Sequence, residues 1–198
     1  MTQCHPKRRP NSGLHRCDCG AHFYWKLINM NHLETLLSLG ITGAMIQSRG
    51  LFRYGEATAL EVVEVNDEGR EFMLAPAAAK AWRLMKAAAM AEGVPLDLVS
   101  AHRSMARQIE IIQSKLADGM VIAEILTLVA PPGYSEHHTG RAVDIASCAA
   151  DVLEEIFEST ASFAWLREHA GEYGFTLSYP RGNALGYAYE PWHWCFSA

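Results

Sequence analysis

No stretch of the chain stays apolar for the roughly 18 to 20 residues that a membrane-spanning helix needs. Nor is there an excess of basic residues: 17 Lys and Arg stand against 22 Asp and Glu, a net charge of −5, so the balance does not point to a nucleic-acid partner. Cysteines do not come in an even set. The five are Cys4, Cys17, Cys19, Cys148 and Cys195, which argues against a disulfide framework and fits a reducing compartment better. The N-terminus begins basic, but no apolar core of a secretory leader comes after it. Internal repeats and low-complexity tracts are also missing. What remains is ordinary for one globular domain: 198 residues, 49% hydrophobic and 20% charged, enough for a full core.

Residues 1–29 differ from the rest. They hold three cysteines, three histidines, five basic residues and one acid, leaving 12 basic and 21 acidic residues in 30–198, a net of −9. They read as an N-terminal arm ahead of a single domain over 30–198, with Met30 as an alternative start. The spacing of Cys4, His5, His15, Cys17, Cys19 and His22 matches no standard zinc ribbon or finger, since Cys17-x-Cys19 is too tight.

Within 30–198 the pattern predicts short strands mixed with helices. Leu60 to Val65 reads as a strand closed by a turn at Asn66–Gly69. Pro76 to Glu92 reads as a helix with Pro near its start and Gly93 past its end. Leu96 to Ser100 alternates as a strand. Ser104 caps a helix running to Asp118, with Ile109, Ile112 and Leu116 on one face and Gly119 as the stop. A second short helix covers Ile122 to Leu128. Ala142 to Ala146 is a strand, Ser162 to Tyr173 a helix with Gly174 behind it, and Phe175 to Tyr179 and Trp192 to Phe196 two more strands. No regular strand-helix alternation is present, which indicates an α+β domain.

Two clusters carry chemistry. One runs Ser135-Glu136-His137-His138-Thr139-Gly140-Arg141-Ala142-Val143-Asp144; the other is Glu190-Pro191-Trp192-His193-Trp194. Two imidazoles and a carboxylate are a normal protein ligand set for catalytic zinc, with a further carboxylate as general base. Gly140 lets the chain turn back between His137 and Asp144. Asp144 lies between Val143 and Ile145 in a buried strand and so needs a partner. Glu190 and His193 are three apart, and Pro191 disfavours a helix there. In a regular strand the two would face opposite sides, so a kink at Pro191 is needed to bring them together.

The two clusters resemble the signatures of the D-alanyl-D-alanine carboxypeptidase family that includes the vancomycin-resistance D,D-carboxypeptidases. The family pattern is S-x-H-x-x-G-x-A-x-D, then E-x-W-H. A third element, a strand end running into Arg-Ser and then Gln, resembles Ser100-Ala101-His102-Arg103-Ser104 with Gln108. The resemblance covers roughly residues 72 to 196. It implies a Hedgehog/DD-peptidase-like fold, a small, mostly antiparallel sheet flanked by helices. It implies one Zn²⁺ held by His137, Asp144 and His193, with Glu190 as base and Arg103 facing the substrate carboxylate or the oxyanion. His137 rather than His138 is the ligand by the motif. Ser135 and Gln108 are carried over as substrate-binding residues, Ser135 having a loop cap as its other reading.

The implied substrates are peptidoglycan stem peptides ending in D-Ala, cut by a monomer. The rivals are an L,D-carboxypeptidase, a D-Ala-D-Ala dipeptidase, a phage-lysin-like endopeptidase, or a catalytically silent zinc-stabilised binding module. As written the chain reads as cytoplasmic, with periplasmic or cell-wall action left open. Two positions depart from the family: Cys195 stands where an arginine is common, and His102 where an aromatic is usual.

Overall fold

The computed structural model describes residues 31–147 and 153–197; the N-terminal arm at 1–29 lies outside them. Contacts divide the chain between Thr35 and Leu36, and the larger unit, Leu36–Ala198, contains both motif clusters. Two short helices open the described chain, α1 (His32–Ser38) and α2 (Gly43–Ser48). The segment 49–60 is irregular. Next comes a hairpin, β1 (Glu61–Val65) and β2 (Glu71–Leu74), then the long helix α3 (Pro76–Ala91). Strand β3 (Asp97–Ser100), helices α4 (Met105–Ala117) and α5 (Ile122–Leu128), strand β4 (Ala142–Ala146), helix α6 (Ala161–His169) and strands β5 (Phe175–Leu177) and β6 (His193–Phe196) complete the chain. Single 3₁₀ turns sit at Glu136–Thr139, Glu155–Ser159 and Ala170–Tyr173.

The four later strands form one antiparallel sheet in the order β3-β4-β6-β5. This is the α+β architecture expected of the sequence: a small antiparallel sheet with helices against it. Every residue of β4 is buried, consistent with its central place. Helix α3 lays Ala78, Ala79, Trp82, Met85 and Ala89 into the core, a stripe at the 3.6-residue period. Its alanines let Trp82 reach Phe175 of the sheet, ring centroids 6.5 Å apart. Glu64 of β1 accepts hydrogen bonds from Trp82 Nε1 at 2.8 Å and Lys86 Nζ at 2.7 Å, tying hairpin to helix. A second cluster joins Leu36, Leu39 and Ile41 to Ile112, Ile125 and Leu126, holding α4 and α5 together.

Helix α4 starts where Ser104 Oγ accepts from the Arg107 N–H at 3.1 Å, as expected, and a carboxylate from the irregular segment, Glu56, accepts from the Met105 N–H at 2.9 Å. Two of the four orphan N–H groups of the first turn are thereby satisfied. Among the described residues no helix is long and apolar enough to cross a membrane.

Candidate metal centre

Strands β4 and β6 pair so that Asp144 lies directly opposite His193. Opposite residues on one face of a sheet have Cβ atoms about 5 Å apart, so the register alone sets these side chains together: His193 Nδ1 is 3.0 Å from Asp144 Oδ1. His137 arrives from the 3₁₀ turn just before β4, with Nε2 3.2 Å from Asp144 Oδ2. Gly140 ends that turn at φ 65°. A Cβ there would lie 2.8 Å from Leu60 Cδ2 and 2.9 Å from the Ala75 nitrogen. The donor atoms of His137, Asp144 and His193 all lie within 4.8 Å of one another, and all three residues are buried.

The chemistry of this set fits a cation. His137 Nδ1 is 2.7 Å from the Ala101 carbonyl oxygen, which can only accept, so the ring proton sits on Nδ1. Nε2 then turns a lone pair toward Asp144 Oδ2. Two lone pairs at that distance repel unless a proton or metal ion lies between them, and burial, against the pull of Asp144, holds the imidazole below its ordinary pKa. The Asp144 carboxyl lies well below the usual carboxylate range: burial opposes ionisation, but His137 and His193 outweigh it. His193 has carboxylates at both nitrogens, Asp144 at Nδ1 and Glu136 Oε2 at 2.9 Å from Nε2. They outweigh burial and push its pKa up to about 10. The cluster thus calls for positive charge at its centre. One turn of chain, Glu136–Thr139, supplies both a ligand and the carboxylate behind another ligand.

His138, next to His137, points elsewhere. Its Nε2 accepts from the Gly133 N–H at 3.0 Å and its Nδ1 donates to the Arg103 carbonyl at 2.6 Å. It is the pin of the loop after Pro131-Pro132, and it is His137, not His138, that the structure brings to Asp144 and His193.

Glu190 approaches from the kink expected at Pro191. The His193 N–H donates to the Glu190 carbonyl at 3.1 Å, a turn that ends where β6 begins. Glu190 Oε2 lies 3.8 Å from His193 Nδ1. Burial first, then the nearby Asp144 charge, against the pull of His193, pushes its pKa up to about 7. Arg103 also reaches Asp144, its Nη2 3.7 Å from Oδ2 and 2.9 Å from Ser100 Oγ. Gln108 is fully buried; its Nε2 donates to the Ala130 carbonyl at 2.7 Å and its Oε1 accepts from Arg103 Nη1 at 3.3 Å. Ser135 is buried and makes no side-chain cap, so the loop-cap reading does not describe it. Arg103, Gln108, Ser135, the three donors and Glu190 all line one cavity of about 390 Å³.

Sequence reasoning missed several neighbours. Glu136 lay inside the motif, one residue before a ligand, but nothing in its spacing distinguished it. Ser178 donates to Glu136 Oε2 at 2.6 Å and Tyr54 to Oε1 at 3.5 Å; the Tyr179 ring lies tilted against that of His193, centroids 4.6 Å apart. Tyr54 is 82 residues from Glu136, and only the fold brings them together. Of the two departures, Cys195 lies beside Glu136, its thiol pushed up to about 12 by burial and then by that charge. The His102 N–H donates to Met73 in β2 at 2.9 Å.

The D-alanyl-D-alanine carboxypeptidase (VanY) family matches residues 71–198 of this chain. The chain belongs to that family. Its buried His137, Asp144 and His193 form a group able to hold a single divalent metal ion. Among relatives, the putative carboxypeptidase YodJ of Bacillus subtilis is 42% identical over 120 residues, 59% of this chain and 43% of YodJ. The chain therefore spans under half the length of that relative. Among solved structures, the LdcB LD-carboxypeptidase superposes with a TM-score of 0.63 at 35% identity, covering 71% of this chain and 69% of LdcB. A vancomycin-resistance D,D-pentapeptidase in complex with Zn(II) gives 0.57 at 27% identity, covering 75% of this chain and 87% of its own.

Proposed function

We propose that this chain is a single-zinc D,D-carboxypeptidase that removes the terminal D-Ala from peptidoglycan stem peptides and works as a monomer. The observation that carries the reading is the convergence of Glu190, Arg103 and the three buried donors on one cavity. His137 through Nε2, Asp144, and His193 through Nδ1 would hold the ion. When bound, zinc supplies Lewis acidity toward the scissile carbonyl and acidifies the attacking water to a pKa of about 7.

The chain's own residues do the rest. Glu190, poised near neutrality, accepts the proton of the attacking water at a carboxylate oxygen and returns it to the leaving amine. Arg103 offers a planar fork that matches a free carboxylate, and so selects a peptide with an open C-terminus. Gln108 serves substrate binding through Arg103, whose guanidinium it steadies from below. Ser135, buried at the cavity wall with no cap to make, is left to face the substrate.

The similarity to LdcB favours a second reading, an L,D-carboxypeptidase with the same machinery. Incubating the purified protein with tri-, tetra- and pentapeptide stems, with and without chelator, separates the two. Chelator-sensitive release of D-Ala from the pentapeptide alone supports the first. Release from the tetrapeptide instead supports the second. Chelator-insensitive turnover, or none on any stem, rejects both.

A further inference from the structure

We propose that Glu136 is a positioning residue for the metal centre: its carboxylate, itself held by Ser178 and Tyr54, clamps the far nitrogen of His193 so that Nδ1 faces the ion. The inference rests on the reading of the chain as a zinc peptidase and adds to it a carboxylate at a position that the ligand motif leaves unspecified.

A neutral imidazole carries one proton and can place it on either nitrogen. In free solution neither tautomer is strongly fixed, and a ligand ring that can flip presents its lone pair only part of the time. Here the choice is made from behind. Glu136 Oε2 lies 2.9 Å from His193 Nε2 and Asp144 Oδ1 3.0 Å from Nδ1; when an ion takes Nδ1, the one remaining ring proton sits on Nε2, where Glu136 accepts it. A carboxylate behind a ligating imidazole also raises the ligand's basicity, and losing such a partner typically costs about 10- to 100-fold in metal affinity.

The carboxylate is itself immobilised. Ser178, just after β5, donates its hydroxyl to Oε2 at 2.6 Å, and Tyr54 donates to Oε1 at 3.5 Å. The backbone of Glu136 opens the 3₁₀ turn, and its carbonyl accepts from the Thr139 hydroxyl at 2.6 Å. His137, the next residue, reaches Asp144 directly while Glu136 passes behind to His193. One rigid turn therefore fixes two of the three ligands. Tyr54 lies upstream of residues 71–198, the part that the family match covers, so the support of the centre extends beyond the matched segment.

The test is zinc affinity, measured by competition with a chromophoric chelator on wild type, Glu136→Gln, Glu136→Ala, Ser178→Ala and the control His193→Ala. Melting of the zinc-free proteins is followed in parallel. His193→Ala should lose the site. Glu136→Ala should bind about 10- to 100-fold more weakly; Glu136→Gln, whose amide oxygen still accepts from Nε2, should fall between it and wild type; Ser178→Ala should show a smaller loss. A carboxylate of merely structural value would lower the zinc-free melting midpoint and leave zinc affinity within about twofold. If Glu136→Ala does not fold, Glu136→Gln decides. Wild type that binds no zinc overturns the zinc reading and this inference with it. Wild type that binds zinc while the Glu136 variants match it overturns this inference alone.

Discussion

Glu190 is held at the rim of the metal cluster by a turn rather than by a helix or strand, and burial keeps its carboxyl near neutrality. A base so placed should matter for rate and little for assembly. Glu190→Ala is expected to keep fold and zinc and lose about 10² to 10⁴ in turnover; near-normal turnover would mean another group takes the proton. Arg103 makes a different demand. If it reads the free C-terminus, a C-terminal amide removes a charge-assisted partner and leaves the guanidinium only Asp144, Ser100 and Gln108, at a cost of roughly 1.5 to 3 kcal/mol, the usual worth of a hydrogen bond to a charged group. The free-acid pentapeptide should then be cut far faster than its amide, and Arg103→Lys should shrink that gap. Equal rates on acid and amide by wild type would make the enzyme an endopeptidase.

The donors of the centre were legible as residues because chemistry restricts them: only a few side chains bind zinc, and two motifs supplied them in order. Glu136, Ser178 and Tyr54 were not. A carboxylate, a hydroxyl and a phenol have many uses, and their distances from His193 depend on a fold that spacing alone does not give.

At the scale of elements, the register of β4 against β6 and the turn at Gly140 make the site. Helix α4, the strands around Asp144 and His193, and the kink at Pro191 could be read from periodicity, caps and proline. Three features were hidden. Strand β2 runs Glu71-Phe72-Met73-Leu74, three apolar residues in a row with no alternation to mark it. The 3₁₀ turn at Glu136–Thr139 has no periodicity of its own. The helix expected over Ser162–Tyr173 tightens to 3₁₀ geometry after His169, a boundary that propensity does not mark. Gly140, by contrast, was visible as a turn but not as a close contact. Gly140→Ala must adopt a left-handed conformation and press its methyl against the Ala75 backbone as well as Leu60. A loss of about 1 to 3 kcal/mol from the conformation alone should appear as a lowered melting midpoint, with weaker zinc binding because His137 and Glu136 ride on the same turn. An unchanged midpoint would show that the turn relaxes freely.

At the scale of the whole chain, the described residues account for all of the proposed machinery. The basic, cysteine-rich stretch before Met30 is expected to be dispensable for it. A chain beginning at Met30 should fold and hydrolyse the same peptides at a similar rate, measured with the same stem-peptide assay; an insoluble or inactive product would place those residues inside the catalytic domain. Starting at Met30 also removes Cys4, Cys17 and Cys19, which simplifies any metal stoichiometry.

The irregular segment 49–60 carries a consequence of another kind. The Tyr54 amide donates to the Gly133 carbonyl at 2.8 Å and the Ala57 amide to the His138 carbonyl at 2.7 Å. Neither belongs to a strand or helix, yet both are bonded to the chain on either side of His137. Where these amides exchange by opening of the ligand-bearing loop, an opening that releases the ion becomes rarer in proportion to the ion's occupancy. At a free zinc concentration about 100 times the dissociation constant, their exchange should slow by about 100-fold, while amides of the exposed β1–β2 turn keep their rates. Two coil amides would thus report metal binding without touching metal.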